Sequence, residues 1–562
     1  MVRTVLRIRA TDFDNASTLE SPYGLFPKFN NNIRLIMVVS KTDVEAAAVK
    51  EEIPHDHLYK VTGLSSTNLE KLAQEPGSDF EAAIAATGYG KFNLALMLCT
   101  LPAFWSAVSV TSSASFIFTR AQCDMELRLI DMGTVNAITY IGMISSAMIW
   151  GFLSDTLGRR RFLVWGFFCS GLMEIAAAMS QNFTMLLITR YSSGFLFNGP
   201  FAVLLTYIAE LHRTDLRARV LLLTGLFFTI ANTTLPLLAW AIITNDWDFS
   251  LFGNMFVIHS WNLFLLATAL VPLLTGVAFL CLPESPKFLM SRGRNDEALE
   301  VFKKIYALNS GKPSETYPIT KLIEEKAQQR SKGIEALKGG FAQFAPLFKP
   351  PHVAWLVLIC GAHVGCMFGA NTIRLWYPQL AAMIGSNGNE SLCSAIAPHA
   401  EVEVEGCTPI ETDMLTYLQT AIVGAGSVIT YCIGGVLINR CGKRLVTGMC
   451  GILGAAFIIM MPFIGTSAKP VVAMVTTALA LTALCSTSLS SIAVDLFPTS
   501  LRVMALATFL MCGRLGTILG TVTFPALIDY GCLPPFVVIG SVLAVCGLSC
   551  FFLPNTTLKK LE

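Results

Sequence analysis

Long apolar stretches punctuate the chain from residue 92 onward. They run at about 92–118, 132–153, 161–180, 185–208, 218–243, 262–282, 353–376, 415–438, 445–465, 470–494, 503–527 and 534–553. Each is about 20 residues or more, enough for an α-helix rising 1.5 Å per residue to cross roughly 30 Å of hydrocarbon. The runs lack the period-two alternation of barrel strands, and a lipid-exposed backbone must satisfy its own hydrogen bonds, so helices are expected. Residues 1–87 are polar and mixed in charge. Their one apolar run, Ile33 to Val39, is broken by Arg34 and far too short to span.

Composition supports the pattern. Only 14% of the 562 residues are Asp, Glu, Lys or Arg, against roughly 25% in soluble proteins, and 53% are hydrophobic. A soluble enzyme, a disordered chain and a collagen-like fibre are all poor fits. A formal net charge of +2 gives no basic excess, so nucleic acid is not an expected partner. The 16 cysteines lie mostly singly in apolar runs, where a thiol behaves as a small hydrophobe. The chain opens MVRTVLRIRATDFDN, without the long apolar core of a cleavable signal, so the first span is the expected insertion signal.

Basic residues set an expected orientation. Arg159, Arg160 and Arg161 follow the second run, and Arg213, Arg217 and Arg219 the fourth. Arg440, Lys443 and Arg444 follow the eighth, and Lys287, Arg292, Arg294, Lys303 and Lys304 lie in the long central loop. The opposite loops hold few, among them Arg120, Arg128 and Lys469, and 378–414 has none. By the positive-inside rule both termini and the central loop are cytosolic. The expected organisation is a cytosolic tail (1–87), a six-helix half (88–282), a cytosolic loop (283–352), a second six-helix half (353–553, with 378–414 outside or luminal) and a short cytosolic tail (554–562).

The two halves repeat one another. Gly151-Phe-Leu-Ser-Asp155-Thr-Leu-Gly158-Arg159-Arg160 matches Gly435-Val-Leu-Ile-Asn439-Arg440-Cys441-Gly442-Lys443-Arg444 at an offset of 284. At nearly the same offset Glu210 precedes Arg217 by seven residues, as Asp495 precedes Arg502. Two matches in one register argue for duplicated six-helix halves, one of the transporter architectures, with a solute site near the midplane between them.

These residues carry a family resemblance. Gly151 to Arg161 resembles the signature loop of the major facilitator superfamily, and Arg190-Tyr-Ser-Ser-Gly194 its fourth-span Arg-x-x-x-Gly motif. Pro283-Glu284-Ser285-Pro286-Lys287 resembles the PESPR-type motif of its sugar and organic-ion branches. Trp150 to Arg161, Leu238 to Ile243, the run from Pro283 through Leu299, and Arg374 to Leu380 are similar to the synaptic vesicle glycoprotein 2 family, particularly its shorter invertebrate members. The resemblance covers about 78–555 and implies an all-α polytopic fold of twelve transmembrane helices in two pseudo-symmetric halves.

The motifs suggest a gate. Gly151 and Gly158 remove side chains where helices approach, and Asp155 is placed to face the N-terminus of a helix beginning near Leu501 in the other half. Such a charge–dipole contact is worth about 0.3–2 kcal/mol. The remaining gating candidates are Arg159, Arg160, the pair Glu210 with Arg217, Asn439, Gly442, and the pair Asp495 with Arg502. Neutral Asn439 complements a dipole less strongly than an aspartate, so the gate is expected to be asymmetric. The bland alternative is that these arginines only obey the positive-inside rule.

Charge inside a span is costly and marks candidates for the solute pathway. Arg190 and Arg514 lead, alongside the neutral Asn198, Tyr207, Asn371 and Trp376, the serines of spans 1 and 10, Glu174 and His363. Each also has a structural reading as helix glue. Span 1 has no acid, which argues against cation coupling through it, and span 7 lacks the glutamine-rich pattern typical of sugar porters. In the outer loop Cys393 and Cys407 are disulfide candidates and Asn389-Glu390-Ser391 a glycosylation acceptor. No phosphate-binding Gly-x-x-x-x-Gly-Lys-Ser/Thr loop, His-Glu-x-x-His motif or nucleophile constellation occurs, so neither a pump, an enzyme, a cofactor nor a metal is expected. The expected function is secondary transport of a small polar or charged organic solute through the lipid bilayer of a plasma or vesicle membrane. The alternative is a non-transporting scaffold or trafficking regulator that keeps the fold.

Overall fold

Every apolar run becomes a single helix. A computed structural model describes residues 77–245, 247–251, 256–323, 345–386, 393, 413–464 and 468–554. A short helix, α1 (Phe80–Ala86), leads into the first half: α2 (Lys91–Asp124), α3 (Leu129–Leu157), α4 (Arg159–Ala178), α5 (Phe183–Glu210), α6 (Thr214–Ile243) and α7 (Ser260–Leu280). An antiparallel hairpin, β1 (Phe249–Leu251) with β2 (Phe256–Ile258), joins α6 to α7 and pairs Phe249 with Ile258. Two small helices, α8 (Pro286–Ser291) and α9 (Asn295–Ser310), follow. The second half holds α10 (His352–Ser386), α11 (Met414–Cys441), α12 (Lys443–Met460), α13 (Ala468–Leu496), α14 (Thr499–Ile528) and α15 (Leu533–Ser549).

Among the described residues, ten of these helices are long and apolar enough to cross a membrane. The other two long helices, α3 and α11, have 29 and 28 residues and complete the twelve expected.

Small residues let the helices touch backbone to backbone. Gly513, Gly516 and Gly520 lie on one face of α14, at spacings of three and four. A methyl group at Gly516 or Gly520 would strike the carbonyls of Val364 or Phe368 on α10. In the first half, Gly142 meets the Tyr191 carbonyl and Gly194 that of Thr139, which seats α3 on α5.

The core divides by depth. At the end remote from the central loop, one hydrophobic cluster runs through both halves, from Phe116, Val135, Leu235 and Trp261 to Trp376, Tyr417, Phe524 and Phe536. At that end Gly133 lies against Thr521 O, and Gly424 against Asn232 O, so α3 meets α14 and α6 meets α11 closely. Toward the central loop two clusters take over, one drawn from the first half with Leu375 of α10 joining it at mid-depth, the other from the second half alone. Phe92, Phe162, Tyr207 and Leu282 belong to the first, and Leu356, Ile492, Phe497 and Phe509 to the second.

Beneath the first half, α9 turns Ala298, Phe302 and Ile305 to one side, the spacing of a helix with one apolar face. Ala298 and Phe302 bury against Phe80, Ile84, Leu289, Met290 and Tyr317, while Ile305 joins the first-half core with Phe92 and Leu96. The stretch expected as a free tail is therefore docked at its end: Ser78 N donates to Lys321 O at 2.9 Å, and Ile323 N to Ser78 O at 3.0 Å.

The expected Cys393–Cys407 disulfide is not the one formed. Cys393 bonds to Cys532, at the start of α15, with Cα atoms 5.3 Å apart across 139 residues of sequence. The helical topology brings Cys532 to the outer loop, which proximity along the chain does not reveal. Cys407 and Asn389 lie outside the described residues.

Candidate functional site

Each half carries the same basic cluster at its central-loop end. α3 and α4 are joined by the single residue Gly158, and α11 and α12 by Gly442. Both adopt positive φ, 93° and 83°, where a side chain is strained. The first basic residue after each turn pairs with the acid that ends the fourth helix of its half. Arg159 Nε lies 3.8 Å from Glu210 Oε2, and Lys443 Nζ 2.5 Å from Asp495 Oδ2. The second basic residue caps the sixth helix: Arg160 donates to Leu280 O and Arg444 to Phe551 O. Cations at a helix C-terminus complement its dipole.

The segment Pro283 to Pro286 completes the first cluster. Pro283 O accepts from Tyr207 Oη at 2.5 Å. Glu284 Oε1 accepts from the backbone N–H of Arg160 at 2.9 Å and of Ser285 at 3.0 Å, so the carboxylate caps the N-terminus of α4. Ser285 Oγ donates to Glu210 Oε2 at 2.5 Å and accepts from Phe288 N at 3.2 Å, capping α8. The Arg159 guanidinium lies 5.8 Å over the Phe288 ring.

A second cluster lies at mid-depth where the halves meet. Arg374 on α10 donates from Nε to Asn371 Oδ1 at 3.1 Å and from Nη2 to Tyr140 Oη at 3.3 Å, which crosses to α3 of the first half. Asn371 Nδ2 donates to Thr517 Oγ1 on α14 at 2.7 Å. One turn from Thr517 sits Arg514, half-buried and within electrostatic reach of Tyr140. Among the described residues neither arginine forms an ion pair.

The buried Arg190 is the opposite case. Its Nη1 lies 3.3 Å from Glu174 Oε2, Nη2 donates to Ser113 Oγ at 3.0 Å, and Ser193 Oγ donates to the other oxygen of Glu174. Neither charged side chain has more than 1% of its surface exposed. This neutralised cluster of four stitches α2, α4 and α5 together inside the first half.

Two sequence profiles divide the chain between them: the Sugar (and other) transporter family matches residues 99–397, and the Major Facilitator Superfamily matches 411–562. The chain belongs to the sugar (and other) transporter family of the Major Facilitator Superfamily. It is a multi-pass membrane protein, and its family is one of transporters, not enzymes. Synaptic vesicle glycoprotein 2C of Mus musculus is 30% identical over 261 residues, 46% of this chain and 35% of that protein. Synaptic vesicle glycoprotein 2A of Bos taurus is 26% identical over 338 residues, 57% of this chain and 45% of that protein. The chain thus spans less than half the length of the curated relatives it matches. Among solved structures, the xylose transporter XylE of E. coli in a partially occluded inward-open conformation superimposes with a TM-score of 0.57. That match has 16% identity and covers 85% of this chain and all of that one. A D-xylose-proton symporter gives the same score over 84% of this chain.

Within this superfamily fold, several candidates take other positions than expected. Glu210 and Arg217 do not pair. Arg217 donates to the carbonyls of Ala209 and His212 and forms a 2.9 Å ion pair with Glu81, beside α1. Asp495 is taken by Lys443, and Arg502 Nε is buried without a hydrogen-bond partner. A seven-residue spacing across a helix break does not aim two side chains at each other, whereas the one-residue glycine turn does bring the next basic residue under the fourth helix. A methyl group at Gly151 would meet nothing within 4 Å, so that glycine serves no close approach here. The side chains of Asp155 and Asn439 lie outside the described ones.

Of the six pathway candidates, four are buried and hydrogen-bonded within the protein. Besides Arg190 and Tyr207, Asn198 donates to Met143 O at 2.8 Å and Trp376 to Thr521 O at 3.2 Å, and all four are buried. Asn371 and Arg514 remain, together in the mid-depth cluster. His363 stacks on Phe509 with ring centroids 3.7 Å apart. Three members of the cluster were missed from the sequence, Arg374, Tyr140 and Thr517. Arg374 was legible as a charge within the seventh apolar run, whereas nothing in the local sequence marks Tyr140. Gln379, five residues beyond Arg374, is buried with neither amide atom partnered.

Proposed function

We propose that this protein is a secondary transporter that moves a small polar or charged organic solute by alternating access, with the solute held by Arg374, Asn371, Tyr140, Thr517 and Arg514. The supporting observation is the divided core. One cluster joins the halves throughout the far end, the clusters at the central-loop end are drawn from one half each apart from Leu375 at mid-depth, and the polar site lies beside that residue. That is the geometry of a carrier closed on one side. The positive-inside rule supports an open side in the cytosol, with both termini there, and the likeness to synaptic vesicle glycoproteins supports a vesicle membrane.

The test is uptake of a mixed metabolite panel into proteoliposomes holding wild type or Arg514→Ala. At least one solute is expected to accumulate with wild type and not with the variant. No difference from empty liposomes for any solute would favour a scaffold that keeps the fold without transport.

A further inference from the structure

Resting on that transport reading, we propose that the solute is a small organic anion, its acidic group held between the guanidinium groups of Arg374 and Arg514 with the hydroxyl of Tyr140 as a third donor. Charge balance is the first argument. An ionised side chain inside a membrane protein is retained only where water, an acid or a ligand stabilises it. The same chain shows what a structural arginine looks like: Arg190 is fully enclosed and faces Glu174 at 3.3 Å. Arg374 and Arg514 are half-buried at the junction of the halves, and neither faces an acid among the described residues.

Donor geometry is the second argument. A guanidinium carries five N–H groups. Arg374 uses Nε on Asn371 and Nη2 on Tyr140, both neutral, and Arg514 makes no hydrogen bond to a described group. The unused forks match the two oxygens of a carboxylate or phosphate, which guanidinium binds in paired hydrogen bonds. A neutral solute would leave both charges uncompensated. Positioning comes from the fold. Asn371 is anchored on Thr517 at 2.7 Å, and the glycine face of α14 presses that helix onto α10, so both arginines sit on rigid elements.

The experiment uses the full-length protein in lipid nanodiscs, with thermal unfolding as the binding readout. The probes are a panel of small monocarboxylic and dicarboxylic acids, each matched with its uncharged amide, and inorganic phosphate as a separate arm. Acids, but not their amides, are expected to raise the midpoint. Phosphate raising it without any carboxylate would identify the acidic group as phosphate. Arg514→Gln and Arg374→Gln are expected to abolish the shift, and Arg514→Lys to retain part of it. Without ligand, Arg514→Gln is expected to be as stable as wild type or more so, because it removes an uncompensated charge.

Equal shifts from acids and amides, no shift from any probe, or a loss of ligand-free stability in Arg514→Gln would each overturn the anion site. Proteoliposomes separate the two readings. Accumulation of amides with exclusion of acids would overturn the anion class and leave transport standing. Acid binding without accumulation of any solute would leave the anion site standing and overturn transport.

Discussion

Replacing Gly158 by alanine tests the loop-end cluster most directly, because the second half supplies its own control. Gly158 has φ 93° and ψ 154°, and Gly442 has φ 83° and ψ 150°. This is a region essentially reserved for glycine, and forcing another residue into it costs about 1–3 kcal/mol. The backbone penalty is therefore shared. The surroundings are not. A Cβ at Gly158 would lie 2.7 Å from Glu284 Oε2 and 3.2 Å from the Phe288 ring, whereas one at Gly442 meets nothing within 4 Å.

Alanine at 158 must therefore push the Glu284 carboxylate off the backbone N–H groups of Arg160 and Ser285. A hydrogen bond to a charged group contributes about 1.5–3 kcal/mol. Gly158→Ala is thus expected to cost about 1.5–3 kcal/mol more than Gly442→Ala, roughly a 10- to 150-fold difference in the folded-to-unfolded ratio. In a Glu284→Ala background that excess is expected to vanish, because the carboxylate is already gone. The assay is the thermal midpoint of each purified variant at one fixed scan rate, since such proteins commonly unfold irreversibly. Equal midpoints for the two glycine variants, or an excess that persists without Glu284, would refute the reasoning.

Three further outcomes follow from named contacts. Arg190→Met is expected to destabilise by about 3–5 kcal/mol, leaving Glu174 buried and unpaired, and the double variant Arg190→Met with Glu174→Leu to recover most of that, read as detergent-solubilised folded yield and midpoint. Non-reducing peptide mapping should recover a Cys393–Cys532 linked pair that survives Cys407→Ser; a Cys393–Cys407 peptide in its place contradicts the structure. Reversing the pair by Arg159→Glu with Glu210→Arg should restore stability lost in either single variant, whereas combining Arg159→Glu with Asp495→Lys should not.

Much of the fold was written in local pattern. Twenty-residue apolar runs specify helices, and the offset of 284 specifies two equivalent halves, down to the glycine turns at 158 and 442. The Pro283 to Pro286 motif was legible as a motif, but its work was not: Glu284 caps a helix that begins 125 residues earlier, and no local pattern encodes that approach. The acid–arginine pairs fail for the same reason, since spacing along the chain measures proximity only within one continuous helix. At the central site, Arg514 was visible as a charge among apolar residues. Tyr140 was not, because a tyrosine in a span is ordinary until a helix from the other half brings an arginine to its hydroxyl.

The two kinds of charge cluster must then have different functions. A contact biases a conformational equilibrium only if it differs between the two states. Arg159 with Glu210, Arg160 with Leu280, Lys443 with Asp495 and Arg444 with Phe551 each lie within a single half. In the proposed rocking of one half against the other as a rigid body, all four would persist, so they would stiffen the halves and not latch them. The Arg374–Tyr140 bond is different, because it joins α10 to α3 across the interface. In the proposed mechanism, a solute that draws the Arg374 guanidinium toward itself would compete with Tyr140, which would link occupancy to the angle between the halves. In that proposal, at about 2.5 kcal/mol per 100 Å² of apolar surface uncovered, opening the shared far-end cluster would need the central-loop end to close in the same movement.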